Sequence, residues 1–215
     1  MKVGTDGVLL GAWAHIPEGC RRILDIGTGT GLIALMMAQR AAGAEIAAVE
    51  IDESSARQAR ENCDRSEWGG RIAVIHSPVQ EYTPDVKFDL IVSNPPYFDG
   101  SLPSPDTGRM QARHTVSLSF GELFAAVSRL LSADGRFAVI VPAESARALV
   151  AAVPMHLVRR CDVRTKPSGA VKRTMLEFSP AFAGAAEYGE LTIGDGAGGH
   201  DERYRALTAD FYLDF

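Results

Sequence analysis

The residues most suited to chemistry are Asn94-Pro95-Pro96-Tyr97, which close the apolar run Phe88-Asp89-Leu90-Ile91-Val92-Ser93. An amide, two prolines and an aromatic ring at a strand end suit an exocyclic amine whose lone pair is delocalised into a ring. If Asn94 Oδ1 and the Pro95 carbonyl both accept from that amine, the nitrogen is drawn toward tetrahedral geometry and its lone pair can meet an electrophile. The prolines fix the backbone, so the acceptors stand ready before the reaction. Tyr97 offers a face for the ring to stack on, a contact of about 1–3 kcal/mol. A plainer reading, a Pro-Pro strand terminator beside a surface tyrosine, explains the prolines but not the asparagine ahead of them.

A second group is spaced to hold a nucleoside. Ile23-Leu24-Asp25-Ile26-Gly27-Thr28-Gly29-Thr30-Gly31-Leu32 reads as a strand, a glycine turn and the opening of a helix. Gly27, Gly29 and Gly31 permit tight turning and close backbone approach, and amides at a helix start favour an anionic group. The spacing is GxGxG after the acid Asp25, whereas dinucleotide sites prefer GxGxxG. Glu50 ends the next strand, where a carboxylate can accept from both ribose hydroxyls. The competing reading is a tight packing turn with a solvated acid.

Both groups need strand ends to position them. Apolar runs at Ile23–Asp25, Glu45–Glu50, Arg71–His76, Phe88–Ser93 and Arg136–Val141 predict buried parallel strands, and Leu157–Thr165 and Lys172–Phe178 predict two more. Leu32–Ala41, Glu53–Asp64, Phe120–Leu130 and Glu144–Val153 carry helical periodicity between them. The alternation predicts an α/β fold, a mostly parallel seven-stranded sheet with helices on both faces, in one domain over residues 1–215. Residues 98–118 read as a Pro-, Gly- and Ser-rich substrate loop, and 184–200 as a Gly-rich loop. The closing Asp201–Phe215 has helix and then strand spacing.

Composition narrows the function classes. A net charge of -5 and a pI near 5.6 argue against nonspecific coating of nucleic acid, so any such contact must be local. His156 to Arg173 concentrates Arg159, Arg160, Arg164, Lys166, Lys172 and Arg173 against one acid, Asp162. With Arg109, Arg113 and His114 from the 98–118 loop these residues are candidates for a phosphate-binding rim, the alternative being a solvated strand edge. Cys20, Cys63 and Cys161 are widely spaced without a CxxC pair, so neither a disulfide framework nor a metal site is expected. The N-terminal segment resembles neither a secretory signal nor a membrane span, and a cytoplasmic protein is expected.

The acid–GxGxG turn resembles motif I of Rossmann-like class I methyltransferases, and NPPY is shared by enzymes that methylate DNA adenine, RNA bases or a glutamine amide. Lys2-Val3-Gly4-Thr5-Asp6-Gly7-Val8-Leu9-Leu10-Gly11-Ala12-Trp13 is narrower, taken with Ala112-Arg113-His114-Thr115, Lys166-Pro167 and Phe211-Tyr212-Leu213-Asp214-Phe215. Together these segments resemble the bacterial tRNA(Val) (adenine-N6)-methyltransferase family over nearly the whole chain. The resemblance implies S-adenosylmethionine as cofactor and the adenine beside the anticodon as target. It implies Thr5, Asp6, Asp25, Gly27, Gly29, Gly31, Glu50, Ile51, Ser77, Val79 and Asn94 around the cofactor, and Asn94, Pro95, Pro96 and Tyr97 at the reacting amine. It further implies tRNA as partner, held by Arg109, Arg113, His114, Arg159, Arg160, Lys166, Lys172 and Arg173. A monomer is expected, with no metal and no membrane contact.

Two departures stand out. Relatives usually carry further aromatic and basic residues ahead of this first segment. Many also place an acid after the third strand to meet the cofactor's adenine, whereas this chain reads His76-Ser77-Pro78-Val79-Gln80, leaving Ser77, Val79 or Gln80 for that contact. Asp6 is alternatively a helix N-cap, and His114 a hydrogen-bonded loop residue. Protein glutamine methylation, noncatalytic RNA binding on the same fold and nicotinamide-dependent dehydrogenation are the competing functions.

Overall fold

A computed structural model describes residues 4–95 and 118–213. Pro96, Tyr97, Arg109, Arg113 and His114 lie outside the described residues, as does nearly all of the predicted substrate loop.

Strands whose successive residues are all apolar must be covered on both faces. β1 (Arg22–Ile26), β2 (Glu45–Glu50), β3 (Ile72–His76), β4 (Phe88–Ser93) and β5 (Leu131–Pro142) run parallel in the order β3-β2-β1-β4-β5. Ile23, Ile46, Leu90 and Ile140 pack on one side with Leu9 and Met37. Their neighbours Leu24, Ile91 and Val139 pack on the other with Leu123 and Val127. The sheet continues through β7 (Val171–Ser179), antiparallel to β5 and to β6 (His156–Arg164), and ends in β8 (Glu187–Thr192), parallel to β6.

The fold class is as expected, a mostly parallel α/β sheet, but among the described residues it has eight strands instead of seven. β8 falls in the segment read as a Gly-rich loop. It pairs on one side only and its first four residues are exposed, so it carries almost none of the apolar alternation by which a strand is recognised.

α2 (Leu32–Arg40), α3 (Glu53–Asp64), α4 (Phe120–Leu130) and α5 (Ala143–Ala152) match their sequence periodicity within a residue or two. Local chemistry sets their starts. Asp52 accepts from Ser55 N to cap α3, and Ser119 and Glu122 form a reciprocal capping box on α4. The first described segment forms α1 (Thr5–Trp13), with Gly4 at the N-cap position; Asp6 sits inside the first turn and does not cap it. α6 (Glu202–Thr208) runs into a 3₁₀ turn at Ala209–Phe211 where strand spacing was expected. Leu207 and Phe211, four residues apart, turn toward Val8, Ala12 and Met36, and this packing favours continued helical winding. No helix among the described residues is long and apolar enough to cross a membrane.

Strand order reverses between β1 and β4, and at that switch point connections leave the carboxyl ends in opposite directions, opening a crevice.

Candidate active site

Both chemical groups of the sequence meet in that crevice. Ile26 of β1 is in register with Ser93 of β4, and Ser93 Oγ donates to the Ile26 carbonyl at 2.9 Å. The next residues along each chain are Gly27, which opens the glycine turn, and Asn94. Asn94 is half-buried and makes no side-chain hydrogen bond within the described residues, while Pro95 is buried. An unpartnered amide at a strand end keeps its acceptor and donor for a ligand.

The glycine turn is held against β2. Gly27 N and Thr28 N donate to the Val49 carbonyl at 2.9 and 3.1 Å. Gly27, Gly29 and Gly31 have φ of +72°, +59° and +86°, which L side chains rarely adopt. Gly31 is also crowded: a Cβ there would stand 3.3 Å from Cys63 Sγ on α3. A Cβ at Gly27 would meet nothing within 4 Å, so the turn's start faces open space.

Two carboxylates complete the pocket. Glu50 is buried; its Oε2 accepts from Gly29 N at 2.8 Å and its Oε1 from Asp52 N at 2.9 Å. Each oxygen retains a lone pair for a hydroxyl donor. Asp25 is fully buried, and its Oδ2 accepts from Thr28 Oγ1 at 2.5 Å and Ala34 N at 3.1 Å. Its Oδ1 has no partner among the described residues. Burial pushes the Asp25 carboxyl up to about 7, opposed by the Thr28 and Ala34 hydrogen bonds and aided by the nearby Glu50 charge. An open turn of positive φ, an orphaned carboxylate oxygen and acceptors at the β2 end form a donor set that fits S-adenosylmethionine.

The loop after β3 lies alongside. Ser77 N donates to the Glu50 carbonyl at 3.0 Å, and His76 Nε2 lies 3.1 Å from the carbonyl of Ile51, an exposed apolar side chain next to Glu50. Ser77 Oγ donates to the Pro78 carbonyl, the Val79 side chain is buried, and Gln80 Nε2 reaches Glu122 at 3.3 Å. None of His76–Gln80 brings a carboxylate to this loop.

Thr5 and Asp6 stand at the start of α1, whose Gly7 packs on Leu32 at the start of α2. Asp6 Oδ2 accepts from Arg173 Nε at 2.8 Å, joining an expected cofactor residue to an expected RNA residue. The other described basic residues do not gather into one rim. Arg159 lies over the Trp13 ring at 4.2 Å and donates to the Trp13 carbonyl, while Arg160 makes a two-point contact to Asp162 at 3.0 and 3.1 Å. Both lie along β6, about 13–16 Å back from its carboxyl end. Lys166 and Lys172 are exposed near that end.

Three contributors escaped the sequence reading. Thr28 is the hydroxyl donor to Asp25, and its position three residues on, within the glycine turn, was the available signal. Ser93 ties β4 to β1. Arg129, at the end of α4, donates to the carbonyls of Tyr82 at 2.7 Å and Val79 at 2.9 Å and so holds the loop after β3. No local pattern links residues so far apart in sequence.

Comparison with known proteins agrees with this geometry. The sequence profile of the methyltransferase small domain family matches residues 8–147. The chain is 48% identical over 217 residues to the tRNA1(Val) (adenine(37)-N6)-methyltransferase of Bacteroides thetaiotaomicron, covering 99% of this chain and 91% of that one. It is 45% identical over 219 residues to the protein of the same name from Aeromonas hydrophila, with the same coverage. Among solved structures, a predicted O-methyltransferase from Agrobacterium tumefaciens superposes with a TM-score of 0.74 at 19% identity, over 95% of this chain and 96% of that one. This last likeness shows the fold.

Proposed function

Because the chain belongs to the tRNA1(Val) (adenine(37)-N6)-methyltransferase family, we propose that it methylates N6 of an adenine in tRNA, the adenine beside the anticodon of tRNA(Val). S-adenosylmethionine is the cofactor. The observation that carries the reading is the Ile26–Ser93 register, which brings the glycine turn and Asn94 out of the sheet side by side. The protein acts in the cytoplasm as a single chain, and its chemistry requires no metal.

When bound, the cofactor supplies an electrophilic methyl group on a sulfonium. The chain's own residues do the rest. The open backbone face of the Gly27–Gly31 turn receives its amino-acid end, Glu50 accepts from its ribose hydroxyls, and Ile51, Ser77 and the backbone at Val79 flank its adenine. Asp25 braces the turn through Thr28 and Ala34. The substrate base is flipped from its stack into the crevice. Asn94 Oδ1 and the Pro95 carbonyl accept the two N–H groups of the target amine, with Pro96 and Tyr97 following to hold and stack the ring. Once nitrogen carries the additional bond its proton is acidic and leaves to solvent, so no strong base is needed.

A direct experiment tests the reading. The protein is incubated with labelled S-adenosylmethionine and, separately, with tRNA, rRNA, DNA and release factor, and the labelled product is digested. N6-methyladenosine from tRNA alone is expected. Label in glutamine or in another nucleic acid would replace this reading.

A further inference from the structure

A cavity of about 720 Å³ lies away from the glycine turn. It opens at the same edge of the sheet, on the other side of α1. Gly7 and Gly11 face α2, where added Cβ atoms would meet Leu32 and Met36. Thr5 and Leu9 line the cavity. At 100° per residue, positions 5 and 9 lie roughly opposite positions 7 and 11, so α1 is a wall between the two sites. The far side is formed by Val163 at the end of β6, Lys172 at the start of β7 and Ile193 just beyond β8. Because Arg173 pairs with Pro142, these ends share the edge at which β5, and beside it β4, terminate.

The lining has the chemistry of a nucleotide site. His200, Tyr204 and Tyr212 form a row of rings, with centroids 5.2 and 6.5 Å apart and the two tyrosine hydroxyls 3.1 Å apart. Tyr212 keeps over a third of its surface exposed. Lys172 is exposed, and no carboxylate among the described residues pairs with it. An aromatic platform beside a free ammonium suits a base with its phosphate better than it suits a lone anion or a purely apolar ligand. The volume lies within the ordinary range for small-ligand pockets, roughly 300–1,000 Å³.

We propose that this cavity seats an RNA nucleotide adjacent to the target adenine, its base against Tyr212 and its phosphate toward Lys172. The inference rests on the tRNA reading above. Extruding one base leaves its neighbour without a stacking partner, and a ring row across α1 from the crevice replaces that partner and fixes the strand on both sides of the helix.

The test uses an anticodon stem-loop RNA and versions made abasic at the nucleotide before or after the target, with dissociation constants measured by fluorescence anisotropy. One abasic substitution is expected to weaken binding to the parent protein about tenfold and binding to Tyr212→Ala less than about twofold. Tyr212→Phe keeps the ring and is expected to behave as the parent, whereas a role only through the hydroxyl pair would make it resemble Tyr212→Ala. Lys172→Gln is expected to lower the salt slope of binding by about one. Equal abasic penalties in the parent and Tyr212→Ala at both positions would overturn the nucleotide site while leaving the methyltransferase reading intact. A parent protein that binds no stem-loop would overturn both.

Discussion

The two halves of the sheet use their polar side chains in opposite ways. Around β1, β2 and β4 the polar atoms are buried and partly unsatisfied: the Asp25 Oδ1, the remaining lone pairs of Glu50 and the amide of Asn94. In β6, β7 and β8 the arginines are already engaged, Arg160 with Asp162, Arg164 with Glu190 and Arg173 with Asp6. The first half holds acceptors open for a ligand. In the second, charge stiffens β6, ties it to β8 and ties β7 to α1. A run of arginines in a sequence therefore counts cations without saying which are available to a phosphate.

Asn94→Ala gives the sharpest break between the halves. It is expected to lower the single-turnover methylation rate about 10²–10³-fold, the scale of losing one preorganised catalytic hydrogen bond, while calorimetric cofactor affinity stays the same. An unchanged rate would move the chemistry away from the β4 end.

Asp25 probes the cost of an unsatisfied site. Its folded pKa, about 7, lies above the ordinary 3.8, so the native state binds the proton more tightly and stability falls as pH rises from about 4 to 7. Asp25→Asn is expected to flatten that slope, up to about 2–4 kcal/mol in urea titrations across the window. Asp52, held down to about 2 first by its hydrogen bonds to Ser54 and Ser55, acts in the separate window below pH 4 and with the opposite sign. A slope identical in parent and variant would show that Asp25 ionises freely.

Glu50→Ala follows, with cofactor affinity weakened by about 1.5–3 kcal/mol through loss of an ionised acceptor. A melting curve separates this loss from loosening of the turn, because Glu50 also holds Gly29 and Asp52. The smallest effects belong to the braced half. Arg160→Ala is expected to cost under about 1 kcal/mol of stability and to leave the salt dependence of tRNA binding unchanged, whereas Lys166→Ala lowers that slope by about one. If Arg160→Ala flattens the slope as much as Lys166→Ala, its carboxylate partner yields to RNA and the contrast between the halves weakens.

The legibility of the molecule follows the same division. The parallel half was readable because Leu24, Ile46, Ile91 and Val139 belong to runs buried on both faces, and because the Gly27–Gly31 spacing announces its own backbone. The antiparallel half was readable only in β6 and β7. Glu187, Tyr188, Gly189 and Glu190 face water and so look like loop, and whether Arg159 is free or stacked on Trp13 depends on α1, a contact across 146 residues. Arg129 was invisible for the same reason: its partners lie 47 and 50 residues away. Sequence exposes what burial and backbone geometry demand locally, but not which distant carbonyl or ring a long cation finds.

β8 is the outermost strand beyond β6. Among the described residues it ends the sheet with no strand on its outer side, and such a row of backbone groups is a template for pairing with another copy. Glu187 stands exposed on that edge while Glu190 is paired with Arg164, so two strands brought together there would set carboxylate against carboxylate at Glu187. The acidic character that works against indiscriminate contact with nucleic acid is thus carried onto the molecule's open edge as well.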